Sequence, residues 1–193
     1  MGYVIIFKSQ YDLAQDYLIA YNQYLYLQMP HLTPHALPQM REYLEVFRAK
    51  GGRIRLPMNL AYMAEAYGRG GQVEMALAVL SDAITQMRHS GERWWEPEVF
   101  RLRGELMLAT ENPQRPLQEA EANFTRALTV AREQGAKSWE LRAAISMSRL
   151  WQDLGKVEAA CQLLVPLYAG FDDRWVTADL RAAKTLVAEL VAK

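Results

Sequence analysis

Apolar positions recur along this chain with the period of an α-helix. Over residues 57–67, Leu60, Met63, Ala64 and Tyr67 follow at steps of three, one and three, which puts them on one helix face. After Gly71, the residues Val73, Ala76, Leu80, Ala83 and Met87 recur every three or four positions, the signature of a stripe facing a core. The same period predicts helices over 100–109, 116–134, 139–154 and 156–168, with an upstream pair at 11–29 and 37–50. Thr33 and Pro34 are read as the cap and first-turn residue of the 37–50 helix, since proline lacks only a donor that the first turn leaves unused. A last helix spans about 177–192, with Leu180, Ala183, Leu186, Val187 and Leu190 on one face. Thr177 is its expected N-cap, and Asp179 stands in the positive first turn. Alternation of the strand type is nearly absent.

The stop signals of these helices repeat. Arg48-Ala-Lys-Gly51, Arg88-His-Ser-Gly91 and Arg132-Glu-Gln-Gly135 each set a cation in a last turn and a glycine just beyond it. The cation favours the negative end of the helix dipole, and glycine enters the left-handed region that closes the final carbonyls. The three glycines are 40 and 44 residues apart. Two further sets follow the same arithmetic: Ala76, Ala120 and Ala160, separated by 44 and 40, and the small residues Ala64, Gly104 and Ser148, separated by 40 and 44. A four-residue insertion between Gly104 and Ala120 accounts for the difference, and Glu111-Asn-Pro-Gln-Arg-Pro116 is the loop that holds it. The chain thus reads as one helical-repeat domain over residues 11–193, in pairs of about 11–50, 57–89, 94–134 and 137–169. The helix at 177–192 caps the last pair, whose flank would otherwise face water. Residues 1–10 fit no repeat.

The placement of small and bulky residues resembles the tetratricopeptide repeat. Leu60-Met63-Ala64-Tyr67 followed by Gly71-Ala76-Leu80-Ala83 matches that pattern well. Phe100-Gly104-Met107 with Ala120-Phe124-Ala127 departs from it at Arg103, where leucine is usual, and Met147-Ser148-Trp151 with Gly155-Ala160-Leu164 departs at Leu167. The resemblance implies an all-α, tetratricopeptide-like superhelix of antiparallel helix pairs with a C-terminal capping helix. A narrower resemblance is carried by Gly91-Glu-Arg-Trp-Trp-Glu96, Arg101-Leu-Arg-Gly-Glu105, Gly135-Ala-Lys-Ser-Trp-Glu-Leu-Arg142 and Thr177-Ala-Asp-Leu180. These look like the C-terminal helical-repeat region of large bacterial signalling proteins, in which a cyclase or DNA-binding domain precedes an ATPase of the signal-transduction type. That family's catalytic residues lie in those other domains, so none is carried onto this chain.

Composition narrows the chemistry. The 193 residues are 51% hydrophobic and carry 22 basic against 22 acidic side chains, enough for a sizeable core and without a general pull toward nucleic acid or anionic membrane. The single cysteine, Cys161, fits a reducing compartment and a packing role, and a cytoplasmic location is expected. The apolar run at residues 3–7 is too short for a signal peptide or a span. No phosphate-cradling G-x-x-x-x-G-K motif exists, and Gly68-Arg-Gly-Gly71 reads as a turn between helices. His31 and His35 are four apart, but Pro30, Pro34 and Pro38 interrupt the segment and no third ligand is near, so no metal is assigned. His89 stands alone at a helix end, and Asn123-Phe-Thr125 matches a glycosylation acceptor only formally, because Phe124 is a core position. Trp95 and Trp139 are 44 apart and equivalent, which favours packing at the start of an inner helix, whereas Trp94 is open to either role. The tyrosines 11, 17, 21, 24 and 26 form a helix stripe. No catalytic motif or cofactor signature emerges, and the chain is expected not to be an enzyme.

Counted along the tetratricopeptide pattern, the first helix of each pair lines a groove. Its lining positions are Met58, Ala61, Glu65 and Arg69, then Glu98, Arg101 and Glu105, then Arg142, Ile145, Arg149 and Gln152, and Trp94 is a further binding candidate. The lysine and asparagine pair that clamps a terminal carboxylate in chaperone-binding members is missing. The expected function is a non-catalytic module that binds a protein or peptide, as the sensor or scaffold arm of a bacterial signalling or transcription regulator. The alternative is a small-molecule effector site near Trp94 and Arg142. Direct nucleic-acid or membrane contact is not expected.

Overall fold

The computed structural model describes residues 33–49, 51, 53, 55–110, 116–172 and 177–192. Eight helices occupy them: α1 (Thr33–Ala49), α2 (Leu56–Arg69), α3 (Val73–Ser90), α4 (Glu96–Leu108), α5 (Leu117–Glu133), α6 (Lys137–Asp153), α7 (Val157–Ala169) and α8 (Ala178–Val191). No strand is found among the described residues. Residues 1–10, the 11–29 helix with its tyrosines, His31 and the 111–115 part of the insertion loop lie outside them. The chain divides into two compact units, one ending at Glu92 and one beginning at Arg93.

In the first unit α2 and α3 form an antiparallel hairpin, and α1 packs on α2. Leu60, Ala61, Ala64 and Tyr67 of α2 meet Ala76, Leu80 and Ala83 of α3 in the core, every one of them buried. The hairpin turns at Gly71, whose φ of 74° lies in the left-handed region, and closes with the Gln72 N–H donating to the Tyr67 carbonyl at 2.9 Å. Gly91 ends α3 with φ 72° and donates to the Met87 carbonyl at 2.9 Å, the cap expected from the Arg-x-x-Gly stop. Arg55, before α2, is the single non-glycine residue with positive φ among the described residues, at 64°. Its N–H donates to both carboxylate oxygens of Glu92 at 3.1 Å, which offsets part of the cost of that conformation. Arg48 at the end of α1 pairs with Asp82 of α3.

The second unit holds two hairpins, α4 with α5 and α6 with α7, and the terminal helix α8. Helix α4 also touches α6, and α8 lies against both α6 and α7, as a cap must. Its Leu180, Ala183, Leu186 and Leu190 are buried, while Val187 is only half-buried. The Thr177 hydroxyl accepts from the Leu180 N–H at 3.2 Å, confirming the N-cap. The small residues sit where helices cross. A Cβ on Gly104 would lie 2.5 Å from Cε1 of Phe124, so α4 approaches α5 as closely as it does because residue 104 has no side chain. At the equivalent crossing, Ser148 is wholly buried and its hydroxyl donates to the Ala160 carbonyl at 3.4 Å. Ala120 is also fully buried. Replacing Ala120 with leucine is therefore expected to cost about 1–3 kcal/mol through overpacking, and an unchanged urea midpoint for that variant would remove the close crossing.

Two boundaries differ from expectation. Helix α1 begins at Thr33, so Thr33 and Pro34 belong to its first turn and Pro38 lies inside the helix. Helix α4 begins at Glu96 rather than near residue 100. Pro97 occupies its first turn, and the polar residues Glu98 and Arg101 interrupt the apolar stripe although both are buried.

Candidate interaction face

Helices α4, α6 and α8 bring one polar network together. The Glu98 carboxylate receives Nε and Nη2 of Arg101 at 2.7 and 2.8 Å, a two-point pair whose residues are 3% and 7% exposed. Arg101 also pairs through Nη1 with Glu105 and lies 3.4 Å from the Ser146 hydroxyl. Ser146 donates to Glu105 at 2.8 Å. From α6, Nη1 of Arg142 reaches Oε1 of Glu98 at 2.9 Å, and its Nε faces Oδ1 of Asp179 on α8 at 3.5 Å. Arg142 also lies over the Trp139 ring, 5.4 Å from the centroid. Desolvation pushes the Glu98 carboxyl upward, but the Arg101 charge and hydrogen bonds, with Arg142 behind them, outweigh it and hold Glu98 below the usual carboxylate range.

A second pattern repeats with the helix pairs. Glu96 and Glu140 are equivalent positions, each buried, each following a tryptophan and each preceded three residues earlier by a cation. Glu96 pairs with Arg93 and with Arg126 of α5, both at 2.6 Å. Glu140 pairs with Lys137 and with Arg132 of α5, both at 2.8 Å. Burial raises the Glu140 pKa, and the hydrogen bonds from Lys137 and Arg132 more than reverse it, so the net shift is downward. Trp95 and Trp139 are brought together by the repeat. They pack edge to face on each other at 4.6 Å, and Trp94 meets Trp95 at 5.1 Å while staying 43% exposed.

Glu98 and Glu140 both have folded-state pKa values below those of the unfolded chain. A depressed carboxylate contributes stability above its unfolded pKa of about 4.3, and that contribution is lost as pH falls through the folded value. The melting temperature is accordingly expected to fall as pH drops below about 5 and to go on falling through the folded-state values, with a shallower slope in Glu140→Gln. Identical slopes in the two proteins would show that Glu140 takes no part.

The groove positions divide between the two units. In the first, Met58 and Glu65 are half-buried, Ala61 is buried, and Arg69 pairs with Glu65 at 2.9 Å. In the second, Glu98, Arg101, Glu105 and Arg142 meet in the network, and Ile145 is buried. Arg149 is exposed, and among the described residues it has no ion pair; Gln152 is half-buried. The carboxylates beside Arg142 are thus Glu98 and Asp179. Sequence reading missed Ser146 and Asp179 as members. It also passed over a usable signal, since Glu98 and Arg142 are 44 residues apart, equivalent and opposite in charge. Asn123 donates to the Glu119 carbonyl at 2.7 Å within α5, beside the fully buried Phe124. Among the described residues no three His, Cys, Asp or Glu side chains gather as a metal site, and no helix is long and apolar enough to cross a membrane.

Helix hairpins that cross at small residues and carry a terminal capping helix define an all-α, tetratricopeptide-like fold. Solved structures agree. A kinesin light chain-like protein of Podosopora anserina with nearly identical TPR-like repeats aligns over 100% of this chain and 88% of its own, with a TM-score of 0.61 and 19% identity. A single-substitution variant of that protein aligns with the same coverage and TM-score at 18% identity. No protein-family model matches the sequence, and no curated protein matches it.

Proposed function

We propose that this chain is a non-catalytic module that binds a protein or peptide along the face formed by α4, α6 and α8. The observation that carries this reading is the charge left part-exposed on α4, α6 and α8, namely Glu105, Arg142 and Asp179, braced by the buried pair of Glu98 and Arg101, with Arg149 exposed further along α6. A fixed charge pattern on a rigid helical surface selects partners by complementarity. The motifs Trp-Trp-Glu96 and Trp-Glu-Leu-Arg142 support a finer reading, the sensor or scaffold arm of a bacterial signalling or transcription regulator in the cytoplasm. The neighbouring genes and upstream coding sequence would test that context.

Arg142 is a poor probe of binding, because removing it also strips Glu98 and Asp179 of a partner. Arg149 touches no carboxylate among the described residues, so reversing its charge should spare the fold. In a tiled peptide array, Arg149→Glu is expected to lose at least about tenfold in affinity for the acidic peptides that the parent binds, with an unchanged melting temperature. Undiminished capture of the same peptides would remove this face as the binding surface. A small-molecule effector near Trp94 and Arg142 is the second reading, favoured by the exposure of Trp94 beside the tryptophan cluster. A cleft of about 470 Å³ lies elsewhere, between α1 and α2, lined by Leu37, Arg41, Glu45 and Tyr67 among others.

A further inference from the structure

The two carboxylates beside Arg142 are held in different ways. Glu98 is almost wholly buried and sits 2.9 Å from Nη1, fixed by its two-point pair with Arg101. Asp179 is a loose neighbour: its Oδ1 is 3.5 Å from Nε, beyond normal hydrogen-bond length, and its side chain is 37% exposed. The Arg142 guanidinium lies over the Trp139 ring, 5.4 Å from its centroid, with Nη1 at Glu98 and Nε facing Asp179 in the first turn of α8. Seven residues further along α6, on the same side of the helix, stands Arg149. Seven residues rise about 10 Å along a helix axis. A peptide in the polyproline conformation rises about 9 Å in three residues and returns to the same face, so carboxylates at i and i+3 match the two arginines.

We propose that Asp179 is an internal stand-in for a partner's carboxylate: it occupies Arg142 in the free protein and is displaced by an extended acidic peptide with carboxylates at i and i+3, the second of which pairs with Arg149. This rests on the binding face described above and adds its regulation. Arginine takes carboxylates through two parallel hydrogen bonds, and the single long contact to Asp179 leaves that geometry unfilled. The terminal helix therefore competes with the ligand, and affinity is reduced by the fraction of time that Asp179 holds the arginine.

The test uses the full chain and a fluorescein-labelled, C-terminally amidated peptide, Gly-Glu-Pro-Ser-Glu-Pro-Ser-Glu, read by fluorescence anisotropy. Asp179→Asn keeps the size of the side chain and removes its charge, and it is expected to bind about three- to tenfold more tightly than the parent. Adding Arg142→Gln to it should abolish the gain, Arg149→Gln should weaken binding with or without it, and the peptide with glutamine for glutamate should not bind. If the two arginine variants weaken binding while Asp179→Asn matches the parent, the face stands and the competition falls. If the peptide binds neither parent nor Asp179→Asn, binds equally with glutamine, or ignores both arginine changes, this proposal and the acidic-peptide reading of the face fall together. Melting curves of each variant guard against loss of fold, and Arg149→Gln, remote from the Glu98 pair, keeps the arginine arm decisive if Arg142→Gln unfolds.

Discussion

Replacing Arg101 with methionine is expected to destabilise the second unit by about 3–5 kcal/mol, because it leaves the Glu98 carboxylate buried without its two-point partner. Arg142 remains at 2.9 Å, but it approaches only one oxygen, Oε1, and cannot replace the bonds at 2.7 and 2.8 Å. Ser146 and Glu105 would also lose their shared cation. The paired change Glu98→Leu with Arg101→Met removes both buried charges, so it should cost less than the sum of the single losses. Neighbours in one network couple by about 0.5–3 kcal/mol, which a double-mutant cycle in urea can read. If Arg101→Met unfolds at the same urea concentration as the parent, the network is not fixed as described.

Truncating Phe124 to alanine should cost about 3–5 kcal/mol, the range for emptying a fully buried aromatic site. Its ring is fully buried and lies against the backbone of α4 at Gly104. The same contact makes Gly104 informative. In the parent, Gly104→Ala places a methyl 2.5 Å from Cε1 of Phe124, and the ring is too enclosed to withdraw, so the alanine should destabilise. In the Phe124→Ala background the clash is gone, and the same substitution should stabilise by up to about 1 kcal/mol, the helix-propensity difference between glycine and alanine. The sign should therefore invert between the two backgrounds. Gly104→Ala having the same sign in both would mean that residue 104 does not set the α4 to α5 distance.

Much of the architecture was legible in the sequence because it depends on local periodicity and on stop residues. Gly51, Gly91 and Gly135, found from the Arg-x-x-Gly stops, all have positive φ. Ala76, Ala120 and Ala160, found from spacing alone, are all fully buried. Thr177 caps the last helix as its side chain implied. Each of these is fixed by residues within a turn or two, or by the need of a repeat to use the same contact again.

What sequence alone did not give is the partner of each charge. Glu98 and Arg101 read as solvated lining because charged residues are rarely buried. Only the packing of α4 against α6 shows that each has a counter-ion and can leave water. The same packing pairs Arg142 with Glu98 and Asp179, residues 44 and 37 positions away. The start of α4 was misplaced for the same reason, since buried ion pairs look polar to a hydrophobic count. Helical period and turn chemistry are properties of neighbouring residues, so the sequence determined the helices, their stops and their crossings. Charge pairing depends on distances across helices tens of residues apart, and only the tertiary structure decided which arginine was spent on the fold and which, Arg149, stayed exposed.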